Sequence, residues 1–236
     1  MHNKPLFFIA TILLNTFTYA VTWSAPTTIY SKGCEFNTLF VDIDSAGDGF
    51  SVWNQADALV QQIQWSDETT GSWSNPDNLS YDLRRSKAID FSVNSNIMGM
   101  LLSLDPEDSQ TILANQLTTS NIWKPSVILC NAANYSSNAK VSTSANGDSI
   151  AVWLSFNGQY GMVHSAIFSS DNWSPMVMLS TMNENAFNPT VGMDASGKAI
   201  VAWMEASGND FCIKAIRYDA GSWQTVDTIT GVGSKS

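Results

Sequence analysis

Five carboxylates, Glu35, Asp57, Asp108, Glu184 and Asp210, fall in loop-like stretches between apolar runs. Paired carboxylates on one face could protonate a glycosidic oxygen and activate a water, the pairing that glycoside hydrolysis requires. Their spacing selects no pair. Histidine is scarce: His164 lies in an alternating run between Val163 and Ser165, and the other, His2, lies near the start. A histidine triad or a histidine-rich zinc site would have to be built on that one ring, so a packed or surface histidine is the plainer reading. Asp42, Asp44 and Asp48 cluster as calcium ligands can, yet the twelfth position from Asp42 is Trp53 rather than the bidentate Glu of an EF-hand loop. Turn-stabilising side chains account for them better. No catalytic residue, metal or cofactor is assigned.

A second set of residues suits binding. Phe36, Tyr135, Phe156, Tyr160 and Phe187 stand among Asn138, Asn188, Asp57, Asp108 and Asp210. Aromatic rings can stack on the apolar face of a sugar while short amides and carboxylates bond its hydroxyls. These ten residues are the expected ligand contacts. The competing reading is that the aromatics only plug loops into the body of the fold.

The elements that must position them repeat. Val41–Trp53, Val141–Trp153 and Val191–Trp203 are variants of one thirteen-residue phrase, at spacings that are multiples of 50. Trp23, Trp73, Trp123, Trp173 and Trp223 form a second series with the same period. The copy from Phe91 to Ser103 keeps the apolar alternation and has Ser103 where the others have Trp. Self-similarity at this period marks a repeat architecture.

Within the last unit, Thr190–Asp194, Lys198–Glu205, Phe211–Tyr218 and Trp223–Ile229 read as strands, separated by turns rich in Gly, Ser, Asn and Asp. Prolines beside the tryptophans, Pro76, Pro125 and Pro175, suit an outermost strand whose amides need not join a ladder. No stretch carries a helical apolar period.

Four-stranded antiparallel units repeated in tandem predict an all-β fold, a β-propeller. The units run about 23–72, 73–122, 123–172 and 173–222, with a closing strand at 223–229, in one domain over 21–236. Four blades is the simplest count. A closed ring of four leaves one strand over, Trp23–Tyr30 or Trp223–Ile229. A larger ring completed by another chain, with self-association through that surplus strand, is the alternative. The repeated tryptophans are expected to pack between blades, since a position common to the blades serves what the blades share. Loops entering each innermost strand, and those between second and third strands, would open on one side and gather the ten candidate residues there.

Residues 1–20 read as an export signal: Lys4, an apolar run from Leu6 to Leu14, and cleavage after Ala20. That run is too short to span a bilayer, and no later stretch qualifies. The expected location is secreted, periplasmic or at the cell surface. The formal charge of −10, about −11 without Lys4, argues against nucleic acid and anionic lipid as partners. Cys34, Cys130 and Cys212 are expected to remain thiols, because Cys34 and Cys130 lie two repeats apart, across the ring.

The repeat resembles the divergent propeller repeats of exported bacterial proteins. The Trp-x-x-Pro strands, the Asp-x-x-Gly turns and the Ala-Val-Trp second strands carry that likeness over residues 23–229. A looser likeness to sialidase propellers rests on Asp219-Ala-Gly-Ser-Trp223 and Ser170-Asp-Asn-Trp173, which approximate the aspartate box of that family. The box is a structural turn there, and the three convergent arginines of a sialidase site are not matched by Arg84, Arg85 and Arg217. The likeness implies architecture without catalysis. The reading that follows is an exported, non-catalytic, lectin-like binding module for carbohydrate or protein; the alternatives are a glycan-acting hydrolase and an assembly unit.

Overall fold

The computed structural model describes residues 28–29, 35–56, 61–68, 72–79, 87–94, 98–105, 108, 110–131 and 135–230. It is all-β, built from four antiparallel sheets. The first blade comprises β1 (Glu35–Ile43), β2 (Gly49–Ala56), β3 (Gln61–Glu68) and β4 (Asp77–Asn78). The second comprises β5 (Lys87–Val93), β6 (Gly99–Leu104), β7 (Ile112–Leu117) and β8 (Val127–Cys130). In the third, β9 (Tyr135–Thr143), β10 (Ser149–Phe156) and β11 (Gly161–Ser169) precede two short outer segments, β12 (Asn172–Trp173) and β13 (Val177–Met178). The fourth repeats that plan with β14 (Ala186–Met193), β15 (Ala199–Ser207), β16 (Asp210–Asp219), β17 (Ser222–Trp223) and β18 (Asp227–Thr228). The chain is a β-propeller of four blades.

Each blade is a meander whose turns are set by local chemistry. Between first and second strands, Asp44 Oδ1 accepts the amides of Ala46 and Asp48, and Asp194 Oδ1 those of Ser196 and Lys198. Gly47 and Gly197 supply the left-handed residue at φ +96° and +87°. Asp44 and Asp194 are therefore turn caps, whereas Asp42 accepts the amides of Ile43 and Val93. At the outer hairpins, Ser170-Asp171 and Ala220-Gly221 take two successive positive φ values, the twist that a two-residue β-turn needs. These are the turns that approximate the aspartate box. Each short outer segment pairs with the third strand before it, so the strand opened by each repeated Trp closes the preceding blade.

All four innermost strands carry a bulge near the start: Phe36/Leu39, Ala88/Asp90, Ser137/Lys140 and Phe187/Thr190. In the third and fourth blades the bulge lies opposite Trp153 and Trp203. An extra residue on one side of a ladder bends the strand and re-aims its side chains.

Three apolar cores lie between consecutive blades. Phe50, Val52, Ile63 and Leu79 of the first blade meet Phe91, Val93, Leu101 and Leu117 of the second. Met100, Leu102 and Ile112 meet Val141, Trp153 and Phe168. Ile150, Val152 and Val163 meet Val201, Trp203 and Ile216. Trp123, Trp173 and Trp223 pack against the same three cores, so both tryptophan series serve blade packing. Among the described residues no such core joins the fourth blade to the first. Among the described residues the two end blades expose Leu39, Val41 and Ile43 on one side and Ile200 and Ile229 on the other, whereas Ser51 and Trp53 of the first blade are buried. Of the surplus strand Trp23–Tyr30, only Thr28 and Ile29 lie within the described residues, and neither is in a strand.

Side chains also bridge the innermost strands. The Val93 amide donates to Asp42 Oδ2, Thr143 to Ser92 Oγ and Met193 to Ser142 Oγ, each reaching back 51 residues to the preceding blade. At the middle junction Val141 N also donates to Asp90 Oδ2. One amide on the free edge of β5 and of β14, and two on that of β9, are thereby satisfied.

Cys130 and Cys212 are free and buried. Cys34 lies outside the described residues. No helix among the described residues is long and apolar enough to cross a membrane.

Candidate functional site: the loop rim of the arc

Strand direction places the start of each innermost strand and the hairpin between second and third strands on the same rim. Asn138 and Asn188 occupy equivalent bulge positions in the third and fourth blades, both left-handed, at φ +49° and +48°. Asparagine tolerates that conformation better than most side chains. Both are exposed, and Asn138 Nδ2 donates to Asn188 Oδ1 at 3.5 Å. With Ile89, Ala139, Lys140 and Pro189 they line a cavity of about 330 Å³. Beneath the amides, Lys140 Nζ sits 3.5 Å from Asp90 Oδ1. Burial pushes the Asp90 carboxyl up from its ordinary value, against the Val141 amide and the Lys140 charge that favour the anion.

Phe187, one residue before Asn188 in β14, belongs to an aromatic pair. Phe187 and Phe211 meet edge to face, ring centres 5.8 Å apart, and both are exposed. Phe156 is exposed at the rim of the third blade, where it pairs in register with Tyr135. Tyr160 is half-buried; its amide and that of Gln159 donate to Asn157 Oδ1, and Gln159 Nε2 donates to its hydroxyl.

The other candidates separate. Asp108 is fully engaged in its own loop, accepting the amides of Thr111 and Gln110 and the Thr111 hydroxyl. Those bonds, the Thr111 amide foremost, hold its carboxyl below the ordinary range. That is the wrong direction for a general acid, which must keep its proton near neutrality. Asp210 begins β16, half-buried, with Phe211 beside it. Asp57 lies outside the described residues; Phe36 is placed in β1 by its pairing with Gln55, and Tyr135 in β9 by its pairing with Phe156. Of the other carboxylates weighed for acid–base work, Glu35 begins β1 and Glu184 is half-buried ahead of β14.

His164 is buried, its Nδ1 2.8 Å from Ser155 Oγ and its ring stacked on Trp153. Burial lowers its pKa. Ser155 is buried as well, so this hydroxyl–imidazole contact is packing rather than an accessible nucleophile. No group of three or more His, Cys, Asp or Glu side chains fit to hold a metal occurs among the described residues. Arg217 is exposed near the far end of β16, away from this rim, and Arg84 and Arg85 lie outside the described residues.

Sequence reasoning picked out Asn138, Asn188 and Phe187 and missed Lys140, Pro189 and Phe211. Phe211 was taken only as a strand residue. Lys140 had no signal of its own: its repeat equivalents Phe40, Asp90 and Thr190 all differ from one another.

No protein-family description matches the sequence. No curated protein matches it either. Among solved structures it is similar to a protein of unknown function from Dyadobacter fermentans, with a TM-score of 0.56 at 11% identity, over 85% of this chain and 71% of that one. It is also similar to a Hadza microbial sialidase, with a TM-score of 0.52 at 6% identity, over 80% of this chain and 45% of that one. An ulvan lyase described as a polysaccharide lyase gives a TM-score of 0.51 at 12% identity, over 80% of this chain and 57% of that one. The four blades therefore span about half the length of the sialidase and the lyase. At such identities the likeness speaks for the shared propeller fold and for nothing finer.

Proposed function

We propose that the protein is an exported, non-catalytic glycan-binding propeller whose sugar site is the loop rim at Asn138, Asn188, Phe187 and Phe211. The observation that carries this reading is the exposed Asn138–Asn188 amide pair, with Phe187 of an exposed aromatic pair adjacent to Asn188 in the same strand. An amide pair offers donors and acceptors to vicinal hydroxyls, and an exposed ring offers a face for stacking. The sialidase and the polysaccharide lyase among the similar structures are named for work on glycans, which is in keeping with it.

The test is a glycan array probed with the full chain, with and without calcium, followed by titration of any hit against variants. Asn138→Gly and Asn188→Gly keep the left-handed backbone accessible and remove the amides; Phe187→Ala removes a ring. Each is expected to weaken binding about tenfold, the worth of roughly one hydrogen bond or one stacked face. A blank array, or a hit indifferent to all three changes, would defeat this reading. Turnover of the bound glycan would replace it with the hydrolase. Export is tested by the N-terminus of the secreted protein, expected at Val21.

A further inference from the structure

The fourth blade exposes a face that earlier blades bury. Phe50, Val52, Ile63 and Leu79 of the first blade are closed by the blade that follows, and so are Ile150, Val152, Val163 and Leu179 of the third; none is more than 6% exposed. The same four positions of the fourth blade are Ile200, Ala202, Ile213 and Ile229. Ile200 is 50% exposed and Ile229 63%. The largest cleft described, about 770 Å³, lies on this face and not at the glycan rim, lined by Gly192, Ile200, Ala202 and Arg217 among others. Two opposite charges are set into the face. Arg217 lies two residues from Ala215 along β16, and Asp227 lies directly opposite Ala215 across the ladder. Both are exposed, and neither is in an ion pair among the described residues. The first blade differs. Its exposed large apolar side chains, among the described residues, are confined to β1, whereas Ser51 and Trp53 of β2 and Ser66 of β3 are 3%, 4% and 0% exposed.

A contiguous exposed apolar patch marks a contact surface. We infer that two copies of the chain associate through this face, fourth blade on fourth blade, about a two-fold axis. The occupant is not a further blade, because the face is not built to receive one: Gly192 stands where Asp42, Ser92 and Ser142 supply the acceptor for the next blade's amide. It is not the first blade of another copy either, since the second and third strands of that blade are already covered. The charges suit a pairing of like faces. In an isologous contact residue i of one copy meets j of the other, and j meets i. A two-fold axis lying in the plane of contact and passing beside Ala215 exchanges the positions of Arg217 and Asp227, so each Arg217 meets the other copy's Asp227. At the spacings of a sheet, the same rotation lays Ile200 over Ile213 and Ile229 of the other copy. The two sheets then cross steeply, as in orthogonal sheet packing. Such a contact closes at two copies and leaves neither fourth blade open. It is independent of the glycan reading, and its test needs no ligand.

The experiment is sedimentation equilibrium of the full chain over a range of concentrations, with the variants Ile200→Arg, Arg217→Asp and Asp227→Arg. All three positions are exposed in the single chain, so thermal unfolding at high dilution should stay within a few degrees of the parent. The expected result is a mass of two chains for the parent, with self-association weakened more than about tenfold in each variant, since an apolar contact is lost or both ion pairs become like-charge pairs. An equimolar mixture of Arg217→Asp with Asp227→Arg regains two chains, because both contacts then pair Asp with Arg. A parent that stays a single chain throughout overturns the inference. So does a dimer indifferent to Ile200→Arg, which would lie on another surface. Charge variants that dimerise as the parent does, or whose mixture fails to recover, overturn the reciprocal pairing. A mass that climbs past two copies overturns the two-fold closure.

Discussion

The Oδ2 of Asp42 accepts the backbone amide of Val93 at 2.9 Å, joining the first blade to the second across 51 residues of sequence. The same residue's Oδ1 accepts the amide of Ile43. One carboxylate thus satisfies an inner-strand amide on its own blade and another on its neighbour. Asp42→Ala is expected to cost about 1–3 kcal/mol, and Ser142→Ala about 1 kcal/mol, read as shifts of the urea midpoint. The two junctions share no residue, so the double variant should equal the sum within about 0.5 kcal/mol. A large coupling energy would show that the junctions do not act separately.

Glu205 gives a pH prediction. Its buried carboxylate accepts the Thr181 amide, the Thr181 hydroxyl and the Trp203 indole N–H, which ties the segment after the third blade to the second strand of the fourth. Burial alone would raise its pKa; these bonds outweigh it and leave the group below its ordinary 4.5. A lowered carboxylate contributes stability that is present above about pH 4.5 and lost as the pH falls through the folded value. Glu205→Gln should flatten that acid limb and lower stability at pH 7 by about 1–3 kcal/mol. An unchanged acid limb in thermal melts from pH 3 to 7 would contradict the assignment.

His164 works in the same direction from the opposite charge type. Burial favours its neutral form, so the unfolded chain takes up a proton first as the pH drops below 6.5. Stability is lost over that window. His164→Gln, which can still bond Ser155, should remove the slope between pH 6.5 and the lowered folded value. The check is urea unfolding at closely spaced pH, with the histidine followed by NMR.

Trp153 is fully buried between the second and third blades. Trp153→Ala is expected to cost about 3–5 kcal/mol by the cavity it leaves. The corresponding site of the second blade holds Ser103, which is also fully buried, so Ser103→Trp should overpack and destabilise by about 1–3 kcal/mol. Calorimetric midpoints for the pair would separate a filled core from a repeat position free to hold Trp in any blade.

The blades were legible because packing between them repeats. A tryptophan every fifty residues and an alternating second strand are what a shared interface imposes on sequence, and both series lie in the inter-blade cores. The innermost strands were read too short: Thr190 was taken as the start of a strand that begins at Ala186. The bulge at Asn188-Pro189 breaks the two-residue alternation on which such a reading depends. The rim was legible in part for the same reason. Asn138 and Asn188 echo each other at the repeat spacing, whereas Phe211 and Lys140 matter through neighbours that only folding brings near. The exposure of Val41 and Ile200 was not legible, since both are spelled like their buried counterparts and differ only in what lies against them.

The backbone amides that bond across inner strands all point one way, from a later blade to a side chain of the earlier one. The arc therefore has a direction, as a filament has two different ends. A blade grafted ahead of Glu35 with Ser or Asp at the repeat position would compete with Asp42 Oδ1, which already accepts the Ile43 amide. A blade grafted after Thr228 would meet Gly192 and find no acceptor. A Cβ at Gly192 meets no atom within 4 Å, so a single Gly192→Ser change would supply the missing hydroxyl. Gly192→Ser is thus the change that would let a blade added at the C-terminal end repeat the bridge of the internal junctions.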